Sequence, residues 1–271
     1  MTRTKFTEAN WGRRFHDASG EDFFAQLETI REQGFCSVQL APSKSLDFKR
    51  EILTPGYAQG LGLCLKEADI RVAMLGSYFD ISARGEEREA VIQRYFDHLL
   101  LAAWAGFPVI GTETGGISAD APDYEEAYQA VEDNLGVILE QAEKLGVCVA
   151  IEPVYGHTIY NADKMCKLLE RYPSENLRVI YDPVNLLDPS KEDGREAMWQ
   201  DFLDRLGDRL AVVHVKDYEI VDGRKKDLPA ASGRMDYSHI KKLAEAKPGL
   251  DFLIESAQDK DIPAIKEYFG F

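Results

Sequence analysis

Short runs of β-branched and other apolar residues alternate along this chain with longer stretches in which hydrophobic side chains return every three or four positions. A run of the first kind suits a buried strand, and a stretch of the second kind suits a helix with one face on a core. After a weak first strand near KFTEA, residues 5–9, the segment EDFFAQLETIREQG predicts a helix. Phe23, Phe24, Leu27 and Ile30 recur there at helical spacing, and Gly34 closes it. CSVQL, residues 36–40, reads as the second strand, GYAQGLGLCLKEAD as a helix and RVAMLGSY as the third strand. EEREAVIQRYFDHLLLAAWAG is long and periodic, a helix stopped by Gly106, and PVIGTE follows as a strand.

The second half keeps this rhythm. PDYEEAYQAVEDNLGVILEQAEKLG predicts a helix stopped by Gly146, and VCVAIE a strand. NADKMCKLLERY, REAMWQDFLDRLG, YSHIKKLAEAK and KDIPAIKEYF read as helices, separated by the strands LRVIYD, LAVVHV and DFLIE. Strict alternation of this kind implies a parallel sheet. Eight strands and eight helices in 271 residues fit one closed (β/α)8 TIM barrel over residues 1–271, a fold that typically takes about 250 residues. A doubly wound open sheet is the alternative, but no GxGxxG follows the first strand to support a dinucleotide site.

Composition narrows the class of partner. With 45% hydrophobic and 29% charged residues, and no Pro/Gly/Ser-rich linker, the chain has the makeup of a soluble globular protein. A formal net charge of -15 opposes nonspecific attraction to phosphate backbones and anionic membranes, so neither nucleic acid nor membrane is an expected partner. MTRTKFTEANWGRRF lacks the apolar centre of a signal peptide, which makes the cytoplasm the expected location. Cys36, Cys64, Cys148 and Cys166 show no CxxC spacing and lie in apolar segments, as reduced core residues would.

Four of the last strands end in the same way. VCVAIE ends at Glu152, LRVIYD at Asp182 and DFLIE at Glu255, while LAVVHV carries His214 near its end. The C-terminal strand ends of a barrel converge on one mouth, where active sites sit. Taken singly, each acid also reads as a helix N-cap or a solvated charge, and the histidine as a hydrogen-bonded core residue. Taken together, three carboxylates and an imidazole would repel and desolvate one another unless a cation neutralised them. One nitrogen and three oxygens suit a single Mn²⁺, Mg²⁺, Co²⁺ or Zn²⁺ and do not choose among them.

The segments AIEPVYGHT, VIYDPVNLL, VVHVKDY and LIES, in this order and spacing and with VIGTETGG on the fourth strand, resemble the xylose isomerase-like sugar (phosphate) isomerase/epimerase superfamily, related to the apurinic endonuclease family 2 barrels. The likeness covers nearly the whole chain and is weakest in the first strand. It implies a xylose isomerase-like barrel of carbohydrate metabolism with one divalent metal, manganese among the candidates, held by Glu152, Asp182, His214 and Glu255. One departure stands out. Ketose 3-epimerases of this superfamily commonly have a histidine three residues after the sixth-strand aspartate, and this chain has Asn185. Asparagine can hydrogen-bond a sugar hydroxyl but cannot shuttle protons.

Moving a carbonyl along a sugar, or inverting the carbon beside it, needs a base for a weakly acidic C–H and a Lewis acid for the resulting enediolate. Glu152 and Glu255, from strands three apart around the mouth, are the expected proton-transfer pair and also metal ligands, with Asp182 and His214 holding the ion. His157 either orients substrate or caps its loop, Lys216 binds a substrate oxygen or pairs with a carboxylate, and Glu113 lies at the mouth or is a solvated acid. Trp11, Tyr78 and Phe79 form an aromatic wall for a sugar or pack in the core. The long loop 218–236 belongs to the same face, with Arg224, Lys225 and Lys226 as a solvated turn unless the substrate is acidic. His16, His98 and His239 read as structural.

The expected function is a metal-dependent isomerase or epimerase of a small ketose or aldose. The alternatives are a metal-dependent dehydratase or lyase of a keto-polyol or keto-cyclitol, which shares the first step, and a non-catalytic sugar-binding barrel. An apurinic endonuclease is disfavoured by five histidines and the acidic charge. The expected partner is a small sugar or polyol. The terminal EYFGF leaves a homo-oligomer open.

Overall fold

The computed structural model describes residues 9–271. The barrel is built from β1 (Asn10–Arg14), β2 (Ser37–Leu40), β3 (Arg71–Gly76), β4 (Val109–Thr112), β5 (Cys148–Ile151), β6 (Leu177–Tyr181) and β7 (Leu210–Val215). An antiparallel hairpin, β8 (Asp217–Val221) and β9 (Arg224–Leu228), precedes the eighth barrel strand, β10 (Asp251–Ile254). β10 pairs in parallel with both β7 and β1 and so closes the ring.

Among the described residues, eight long helices surround it: α1 (Phe23–Glu32), α3 (Pro55–Glu67), α4 (Glu86–Ala105), α5 (Tyr124–Leu145), α6 (Ala162–Arg171), α8 (Arg195–Leu206), α9 (Ser238–Ala246) and α10 (Ile262–Phe269). Two single turns, α2 (Pro42–Ser45) and α7 (Pro183–Leu186), follow β2 and β6 at the mouth. Gly106 and Gly146 end α4 and α5 in the left-handed region that favours glycine, as their positions predict. Among the described residues, no helix is long and apolar enough to cross a membrane.

The first strand corrects the sequence reading. Residues 5–8 of KFTEA lie outside the described residues, and the strand that closes the barrel is NWGRR, in register Asn10 with Asp251. Its arginines disguise it as a polar loop. Arg13 is nevertheless buried, donating to Gln33 Oε1, to Asp259 Oδ1 at 2.8 Å and to the Ala257 carbonyl at 3.1 Å. A buried cation satisfied in this way is tolerated where an unpaired one would not be. The cysteines are free, as expected, but Cys36 is exposed rather than part of the core.

The pleat sorts side chains into two layers. Val149, Ile151, Val179, Tyr181, Val213, Val215, Phe252 and Ile254 join the large core between strands and helices. Ala150, Ile180, Val212 and Leu253 belong to a separate cluster with Met74 and Val109. Successive residues of a strand face opposite ways. Glu152, Asp182, His214 and Glu255 each lie two positions beyond a member of that second cluster, and the four therefore stand on an apolar floor.

Candidate metal centre

His214 Nδ1 lies 3.3 Å from Glu152 Oε2, 3.6 Å from Glu255 Oε1 and 3.8 Å from Asp182 Oδ2. All four side chains are buried. The second oxygen of each acid is held elsewhere. Glu152 Oε1 accepts from Asn185 Nδ2 at 2.6 Å, and Asp182 Oδ1 accepts from the backbone N–H groups of Val184 and Asn185 at 2.9 Å each. Glu255 Oε2 faces Lys216 Nζ at 3.5 Å. Each carboxylate thus turns one oxygen to the imidazole while the protein anchors the other, the arrangement by which outer contacts orient metal ligands. The DPVN turn has a local cause: Pro183 offers no N–H, so Asp182 caps the two that follow.

Electrostatics follow from this crowding. Burial would lower the His214 pKa, but Glu255 and Glu152 outweigh it and push the imidazole up to about 9. Burial would raise Glu255; His214, Lys216 and Arg14 hold it at about 2 instead. Burial raises Asp182 despite the neighbouring Lys216. Neither ring nitrogen of His214 makes a hydrogen bond, and Asp182 Oδ2 makes none beyond its 2.9 Å ion pair with Lys216. Buried polar atoms left without partners around one point fit a divalent ion. Glu152, Asp182 and His214 bring one ligand atom each within 4.8 Å of one another. Glu255 approaches the same imidazole but is shared with Lys216 and with Arg14, 3.7 Å away.

A cavity of about 500 Å³ is lined by Glu152 and Glu255 together with Arg14, Tyr78, Glu113 and Asn185. Asn185 therefore sits on the wall and also fixes Glu152. Lys216 pairs with acids: 2.9 Å to Asp182, 3.2 Å to Asp227 and 3.5 Å to Glu255. Glu113 lines the cavity, its carboxyl pushed up to about 7 by burial and by Glu152. His157 Nδ1 lies 3.7 Å from Glu113 Oε2, and the residue is bridged to Gly116. Tyr78 and Phe79 form part of the wall, and Gln39 Nε2 donates to the Tyr78 hydroxyl at 2.5 Å. His98, read as structural, also reaches the wall while bonded to Ser77 Oγ.

Trp11 is a correction. It is 3% exposed and stacks on Phe271 at 4.5 Å, with Phe252 and Phe269 beside it, on the helix side of β1 and not at the mouth. Lys225 is another, since its Nζ donates to the Val184 carbonyl instead of standing in solvent. Arg14 and Asp227 were not found in the sequence. The first ends a strand hidden by its own charges, and the second lies on a hairpin that the barrel pattern does not contain.

These features define a class: a closed (β/α)8 barrel whose mouth gathers a buried Glu–Asp–His set able to hold a divalent ion. The chain belongs to the xylose isomerase-like TIM barrel family, whose model matches residues 27–268. Solved structures of the same fold include the IolI protein with a bound zinc atom, at 13% identity, 96% of each chain covered and a TM-score of 0.73. The 3-keto-D-glucoside 4-epimerase YcjR from E. coli matches at 17% identity over 97% of each chain, with a TM-score of 0.70. Mannonate dehydratase from Streptococcus suis serotype 2 matches at 16% identity over 96% of this chain and 92% of its own, with a TM-score of 0.73. A search of curated proteins returned no match.

Proposed function

We propose that the protein is a divalent-metal-dependent sugar isomerase or epimerase acting beside the carbonyl of a small ketose or aldose. One observation carries the reading: Glu152 and Glu255 converge on His214 from strands separated by β6 and β7, and both line the cavity. Held by Glu152, Asp182 and His214 with Glu255 beside them, a divalent ion would supply the Lewis acid that this chemistry needs. The protein's own groups do the rest. Lys216 and Arg14 beside Glu255 keep its carboxylate ionised at neutral pH, the form a base needs. Glu152, oriented by Asn185, stands as its counterpart on the other side of a bound carbon. One carboxylate removes the C–H proton and the other returns a proton, to the same carbon for an epimerase or to its neighbour for an isomerase. Tyr78 and Asn185 offer hydrogen bonds for hydroxyls, and Phe79 offers an apolar face.

A sugar epimerase and a dehydratase among the similar folds agree with proton abstraction as the first step. The test is incubation of the Mn²⁺-loaded protein with a panel of small ketoses and aldoses in heavy water, followed by NMR. Deuterium should enter beside the carbonyl, and Glu255→Gln should slow this by about 10²–10⁴-fold. Loss of water from the product would assign the dehydratase reaction. No exchange with any sugar by metal-loaded protein would remove the reading.

A further inference from the structure

Lys216 stands among the acids of the site, and the reaction above gives it no step. Its three contacts are not equivalent. Asp182 Oδ1 is taken by two backbone N–H groups, so Oδ2 is the oxygen that faces His214 and that a divalent ion would share. Lys216 Nζ lies 2.9 Å from that same Oδ2. An ammonium and a metal ion on one buried oxygen repel strongly, because little water intervenes to screen them. The other two contacts lead away from the imidazole. Glu255 Oε2 is the outer oxygen of its carboxylate, and Asp227, 3.2 Å from Nζ, belongs to β9 with a side chain 38% exposed. The same hairpin is tied a second time beside the ligands, since Lys225 donates to the carbonyl of Val184, in the turn between Asp182 and Asn185.

We propose that Lys216 is, with His214, a cation the site carries before a divalent ion enters, and that on entry it leaves Asp182 and shifts wholly onto Asp227, tightening its hold on the β8–β9 hairpin at the mouth. The inference rests on the metal-dependent reading above. Lys216 is then a positioning residue that sets metal affinity and links occupancy to closure. By reciprocity, a hairpin held down strengthens metal binding.

The test pairs calorimetric titration with Mn²⁺ and amide hydrogen exchange over residues 217–228, on the full chain and on Lys216→Met and Asp227→Asn. In the wild type, Mn²⁺ should slow exchange across the hairpin. Lys216→Met should bind Mn²⁺ about ten-fold more tightly, the competing charge being gone, and its hairpin exchange should not respond to the ion. Asp227→Asn leaves the ammonium on Asp182, so it should bind Mn²⁺ more weakly and also lose the hairpin response. Equal or weaker binding by Lys216→Met, or a hairpin response that is absent in the wild type or kept in Lys216→Met, overturns the proposal and leaves the metal site standing. A wild-type protein that takes up no Mn²⁺ overturns both. If Lys216→Met does not fold, Asp227→Asn decides alone, and unchanged affinity with a retained hairpin response counts against the exchange.

Discussion

β10 opens on one acid, Asp251, and is followed by another on the same face, Glu255, and the two are treated in opposite ways. Asp251, at the bottom of the barrel, accepts from Ser37 Oγ at 2.8 Å and from both terminal nitrogens of Arg71 at 2.5 and 2.6 Å. Leu253 separates it from Glu255, four residues on at the mouth, where three carboxylates share one imidazole and two of them also share Lys216. At the bottom the protein satisfies its own charge completely, with Arg71 partly in water to ease the desolvation. At the mouth both ring nitrogens of His214 are left without hydrogen bonds, and Asp182 Oδ2 has only the ion pair with Lys216. Buried charge alone therefore does not mark a functional site; incomplete pairing does.

The contrast breaks most sharply at His214. His214→Ala removes the one nitrogen donor of the proposed set, and metal content measured by elemental mass spectrometry should fall from about one ion per chain to none. Retention of the ion would make the mouth acids as structural as Asp251. Asn185→Ala leaves Glu152 Oε1 without its donor and should weaken Mn²⁺ binding by about 10–100-fold in a calorimetric titration. Asp251→Asn should do the reverse, costing about 2 kcal/mol in urea unfolding while metal content stays the same. Metal loss in that variant would join the two ends into one system.

The smallest effect is a pH dependence of the metal-free protein. The His214 pKa is raised from 6.5 to about 9 by Glu255 and Glu152 against the opposing effect of burial. A folded value above the unfolded one means that protonation stabilises the fold. This contribution is fully present below about pH 6.5 and is lost as pH rises through about 9. The urea midpoint should fall across that window, with the same slope in Asp251→Asn and a flatter one in His214→Ala.

Legibility differed between the two ends for a physical reason. Glu152, Asp182 and Glu255 each terminate an apolar run, and His214 interrupts one, so their positions stood out against the strands that carry them. β1 did not stand out, because Arg13 and Arg14 break the apolar pattern and find their partners far along the chain, at Asp259 and Glu255. Asn185 was visible as a departure from the family pattern, but its bond to Glu152 was not, because it joins the turn after β6 to the end of β5. Trp11 was misplaced along with its strand. Asp227 gave no signal, since a charged hairpin between two barrel strands reads like any solvated turn.

The sequence by itself determined the βα alternation and, through the two-residue period of a strand, the face on which each ligand candidate lies. Both are properties of neighbouring residues and need no knowledge of distant ones. The tertiary structure decided which oxygen of each carboxylate turns inward, which cation stands beside it and which end of the barrel is left short of partners. Those choices depend on side chains that meet only once the barrel has closed, because hydrogen bonds and ion pairs act over a few ångströms and not along the chain.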